Sequence, residues 1–83
     1  MENVNYNERK KYREVLLKSV YQHYFMNNGN PLGVSYDEYH DNIEKKLAYD
    51  YLVEKGLLQL STQGRTKLYK PTVFGIDYVE SLE

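Results

Sequence analysis

Asn42, Lys45, Lys46 and Tyr49 could read a nucleic-acid groove if one helix carries them. Winding the stretch from about Asp41 to Lys55 at about 100° per residue puts these four and Val53 on one half of the helix. Asparagine can pair with an adenine edge through two hydrogen bonds, and lysine meets guanine edges or phosphate. A tyrosine hydroxyl can also bond a phosphate oxygen. The plainer alternative is a solvated helix face, with the lysines paired to Glu44, Asp50 and Glu54 at helical spacing. A second basic group follows at a turn. Arg65, Lys67 and Lys70 lie between Gln59 and Gly75 with no acid among them. An arginine at a turn tip can enter a minor groove, drawn by its negative potential. Its plainer role is to keep an exposed turn soluble.

Catalytic chemistry has little to stand on. His40 has Asp37 three residues before it and Glu44 four after, a spacing that could support a metal ligand or a general base. A helix break between Tyr39 and Asn42 would scatter these groups, and His23 belongs at the edge of a helix core. No nucleophile, base and orienting group fall together, and the glycines are isolated turn and cap residues rather than a phosphate loop. The expectation is no catalytic residue, no metal and no cofactor.

The 83 residues carry 11 basic and 12 acidic side chains, for a net charge of −1. A strongly basic balance would itself point to nucleic acid, and it is missing. The function must therefore rest on where the charges sit. The absence of cysteine excludes disulfides and thiolate metal sites and fits a reducing cytoplasm. No signal-peptide core and no apolar run of about 18 residues is present. These features predict a single cytoplasmic domain without a membrane span. Ten tyrosines, two phenylalanines and no tryptophan suggest a small core whose edges stay wet.

The elements that would position these groups can be read along the chain. Residues 1–6 are expected to fray, with Asn7 capping a first helix. Its core face is Tyr12, Val15, Leu16, Ser19, Val20, His23 and Tyr24. Gly29 and Pro31 stop that helix. Ser35, with Glu38 three residues on, opens a short second helix anchored by Val34, Tyr36 and Tyr39. The third helix, from about Asp41 to Lys55, turns Ile43, Leu47, Ala48, Tyr51 and Leu52 inward. Leu57–Ser61 and Thr66–Lys70 form a hairpin about a turn at 62–65, and Pro71 ends the pairing. Thr72 caps a last helix in which Ile76, Val79 and Leu82 recur. Ala48, Leu52, Leu57, Ile76 and Val79 are the expected core.

This α+β order of three helices, a two-stranded hairpin and a C-terminal helix resembles the winged helix-turn-helix domain. "LAYDYLVEKGLLQL", from Leu47 to Leu60, is similar to that family's recognition helix running into its first wing strand. "GRTKLYKPTVFGIDYVE", from Gly64 to Glu80, is similar to the wing closing into the last helix. Tyr69, Pro71, Thr72 and Gly75 fall where many members have a tyrosine, an apolar residue, a threonine and a glycine. The resemblance implies a small DNA-binding transcriptional regulator. Asn42, Lys45, Lys46 and Tyr49 would enter the major groove of double-stranded DNA, and Arg65, Lys67 and Lys70 would make wing contacts. Winged helices also serve as protein-docking modules, and the near-neutral charge and the acids Asp37, Glu38 and Asp41 favour that second reading. Phe25, Phe74 and Tyr78 exceed what one small core absorbs, which predicts a homodimer.

Overall fold

A computed structural model describes residues 6–82. It contains four helices and a three-stranded antiparallel sheet. Helix α1 runs Tyr6–Met26 and buries Leu16, Leu17 and Val20. Its packed face is turned about one residue from the expected one, leaving Val15 and Ser19 in solvent. Leu17 supplies more apolar area than a serine, so it takes the inward position. Tyr6 is helical and Asn7 lies inside the helix rather than capping it. The rest of the stretch expected to fray, residues 1–5, lies outside the described residues.

Strand β1, Leu32–Ser35, is absent from the sequence-based expectation. It pairs antiparallel with β3, setting Leu32 opposite Tyr69 and Ser35 opposite Thr66. The sheet order is therefore β1-β3-β2, a correction to the two-stranded hairpin. Four residues, only one of them buried, give no readable alternation. The pairing depends on a partner more than thirty residues away.

Helix α2, Tyr36–Asp41, begins as expected, with Glu38 N–H donating to the Ser35 hydroxyl at 3.1 Å. Asn42 breaks the chain from α2 into α3, which runs Ile43–Glu54. Strands β2, Leu58–Gln63, and β3, Thr66–Pro71, are longer than the expected pair. Only Gly64 and Arg65 remain between Gln63 and its partner Thr66. Gly64 has φ +62°, the sign that a two-residue type II′ turn requires at its first position. Pro71 extends the pairing to Leu58 as the last residue of β3, where its missing N–H is tolerated.

Helix α4, Val73–Ser81, is capped by Thr72, whose hydroxyl accepts from Gly75 N–H and donates to the Gly56 carbonyl. A Cβ on Gly75 would stand 2.0 Å from the Leu57 carbonyl oxygen, so the helix start and the β2 entrance can meet only at a glycine. The core joins Leu17 and Val20 of α1 to Tyr49 and Leu52 of α3, Leu58 and Tyr69 of the sheet, and Val79 of α4. Of the expected core, Ala48, Leu52 and Val79 are buried, while Leu57 and Ile76 are only partly covered. Among the described residues, no helix is long and apolar enough to cross a membrane.

Candidate interaction surface

Helix α3 decides the character of the site. Its start is fixed by Asn42, whose side-chain oxygen accepts from Lys45 N–H at 3.2 Å. The carbonyl that was expected to read a base is committed to this cap. Beyond it, α3 buries Ala48, Tyr49 and Leu52. Tyr49 is 2% exposed and stacks on Tyr69 of β3, with ring centroids 4.3 Å apart. It is therefore not part of any outward strip. The expected inward half is corrected in part: Ala48 and Leu52 are buried, but Ile43 is 60% exposed, Leu47 53% and Tyr51 41%. Both halves of α3 carry apolar side chains, so periodicity cannot choose between them. The stacking surface of Tyr69 selects the Tyr49 side.

The lysines of α3 face acids. Lys45 pairs with Glu38 of α2, and Lys46 with Asp50 one turn on at 3.2 Å. Asp50 also accepts from the Tyr39 hydroxyl. Burial first, and then this carboxylate, push the Tyr39 phenol up to about 12. A lysine already neutralised by a carboxylate must give up that pair before it meets a phosphate.

The hairpin turn is tied down as well. Because β1 lies beside β3, the turn stands over the start of α2, and Tyr36 N–H donates to the Arg65 carbonyl at 2.7 Å. Arg65 lies 3.3 Å from Asp37 and over the Tyr36 ring at 4.6 Å. This ion pair is highly exposed on both sides, so it contributes little to stability. Lys67 lies over the Tyr39 ring at 4.5 Å, and Lys70 is half-buried opposite Gln59. The structure thus brings Arg65 and Lys67 to α2, while Lys70 lies nearer the far end of the hairpin. His40 of α2 packs its ring against Tyr36 and Tyr39.

A different set of cations meets at the opposite side of α3, where sequence reasoning placed no site. A hollow of about 270 Å³ between α1, α3 and α4 is lined by Lys10, Arg13, Tyr51, Lys55, Leu57 and Tyr78, among others. The Arg13 guanidinium lies 4.0 Å from the centre of the Tyr51 ring, and Lys55 approaches the same ring at 6.0 Å. Tyr78 donates to Glu14 at 2.9 Å. A second hollow, sharing Arg13 and Tyr51, continues along α1 and α3 past Leu47 to the Arg9–Glu44 ion pair. Its only signal in the sequence is the α1 spacing of Lys10 and Arg13, which has meaning only once α3 is placed beside it.

Of the aromatics expected to exceed the core, Phe25 and Phe74 are largely exposed, whereas Tyr78 is half-buried. No known family model, no curated protein and no solved structure matches the chain.

Proposed function

We propose that the chain is a winged-helix module that docks onto another protein through the solvent face of α3. The order of four helices with a β1-β3-β2 sheet and a hairpin between α3 and α4 is compatible with that fold. One observation carries the docking reading. Ile43, Leu47 and Tyr51 recur every four residues along α3 and face solvent, while Lys45 and Lys46 turn to carboxylates. An apolar row on an exposed helix is the pattern by which helices meet grooves or sheets of partners. A duplex would meet the acids Asp37, Glu38 and Glu44 around the start of the same helix, and these repel phosphate.

DNA binding by a transcriptional regulator is the second reading. It is favoured by the hairpin from Leu58 to Pro71, which bears Arg65, Lys67 and Lys70 and no acid. Anisotropy titration against a random duplex at low salt separates the two. The docking reading expects no binding at ~100 μM, where ordinary non-specific affinities register. The DNA reading expects binding whose log–log salt slope flattens by about one unit in Arg65→Ala. Leu47→Glu supplies the positive arm. A photo-crosslinker placed at Ile43 should trap a partner protein in the parent and fail to do so in Leu47→Glu. Equal trapping in both would remove the α3 face from consideration.

A further inference from the structure

The hollow between α1, α3 and α4 identifies the chemistry of the partner. We infer that it receives an acidic segment of a protein, with one apolar or aromatic side chain seated on Tyr51 and carboxylates beside it meeting Lys10, Arg13 and Lys55. This inference rests on the docking reading of α3, because Tyr51 belongs to both surfaces.

Size limits the occupant first. Ligand pockets that enclose a small molecule run to roughly 300–1,000 Å³, and this one, at about 270 Å³, falls below that range. It suits a single anchoring side chain better than a whole cofactor. Its floor is apolar where Leu52, Leu57 and the Tyr51 and Tyr78 rings come together.

Charge then selects the flanks. Lys10, Arg13 and Lys55 line the hollow, against one carboxylate, Glu14, that already accepts from Tyr78. Among the described residues, no carboxylate forms an ion pair with any of the three cations. This contrasts with Lys45, Lys46, Arg65 and Arg9, each of which has an acid partner. In a chain of net charge −1, Lys10, Arg13 and Lys55, cations without an acid partner, thus stand together around one apolar pit. Arg13 is held in place by its stacking on Tyr51, so its guanidinium loses less freedom when it meets a carboxylate. Acidic residues of a partner arriving there would find complementary charge without displacing an existing pair.

A nucleic-acid strand shares the anionic character but fits the arrangement less well. Strand binding uses a row of cations tracking a backbone with bases stacked in succession. Here the cations surround one pit, and Glu44 stands further along the groove.

The test is selection from a random dodecapeptide display library against the full chain, with parallel selection against the Lys10→Glu/Lys55→Glu variant. The expected outcome is peptides in which aspartate or glutamate flanks an aromatic residue or leucine. Their affinity for the charge-reversed variant should fall about tenfold or more, as expected for rim charges that act together, and should weaken with salt. Because both lysines are surface residues, circular dichroism should show the variant folded. Peptides without acidic enrichment, peptides that bind the variant equally well, or no enrichment at all would each overturn the inference. Apolar peptides that ignore the lysines but are lost in Leu47→Glu would leave the docking reading standing. Stronger Arg13-dependent binding of a labelled oligothymidylate than of any selected peptide would assign the hollow to nucleic acid instead.

Discussion

Tyr49 of α3 lies flat on Tyr69 of β3, with ring centroids 4.3 Å apart and planes 18° from parallel. This stack fixes the rotation of α3 about its axis. It also explains why Ile43, Leu47 and Tyr51 point outward despite their apolar character. The surface available to a partner is therefore a consequence of how two core tyrosines meet.

The Tyr69 hydroxyl is buried with no hydrogen-bond partner. Removing it should relieve an uncompensated desolvation cost. Tyr69→Phe is expected to keep or raise stability, by up to about 1 kcal/mol, while Tyr69→Ala should lose about 3–5 kcal/mol through the cavity it leaves. Urea denaturation of the two variants gives the comparison, and a clear loss in Tyr69→Phe would mean the hydroxyl is satisfied in solution.

Gly75 is fixed by contact rather than by its backbone angles. Its added Cβ would overlap the Leu57 carbonyl, so Gly75→Ala must push α4 away from the entrance to β2. A loss of about 1–3 kcal/mol or more is expected, as for other overpacked sites. A thermal melt equal to the parent's would show that this junction yields easily.

Asn42 serves as a cap, and its replacement should report on stability. Asn42→Ala is expected to cost about 0.5–2 kcal/mol, whereas Asn42→Asp should retain most of the parent's stability because aspartate caps equally well. Equilibrium unfolding of both variants tests this. Equal losses from the two would point to a role for the amide nitrogen instead.

Alkaline pH should unfold the protein in a defined window. Tyr39 and Tyr49 are raised from 10.0 to about 12, mainly by burial. The folded state thus holds these protons more tightly than the unfolded chain does. Their contribution to stability is fully present below pH 10 and is lost as pH rises toward 12. Tyrosinate absorbance should show the exposed phenols titrating first, and circular dichroism should collapse with the later step. Titration of all phenols in one step near pH 10, with the fold intact, would contradict the buried assignment.

The outward row on α3 makes a prediction of its own. Leu47→Glu should change stability by no more than about 0.5 kcal/mol, since the side chain is mostly in solvent. Leu52→Ala, one of the buried positions on the same helix, should cost about 2–5 kcal/mol. A thermal melt in which Leu47→Glu proved the more damaging would place Leu47 inside the core.

Much of the architecture could be read from local signals. Ser35, Thr72 and Gly64 each act within three or four residues of their own position, so the start of α2, the start of α4 and the hairpin turn were all visible in the chain. The absence of cysteine and the near balance of charge also constrain the chemistry before any folding. What the chain order could not decide was every choice between equivalent alternatives. Strand β1 exists because β3 offers it an edge, and four residues have too little pattern to announce that pairing. Helix α3 has apolar residues on both halves, so only the Tyr69 ring across the core could select its buried side. Lys46 takes the acid at helical spacing, Asp50, but Lys45 and Arg65 find theirs on α2, while Lys10, Arg13 and Lys55 converge from two helices. Charge pairing and aromatic stacking act over a few ångströms of space, and separation along the chain carries no measure of that distance.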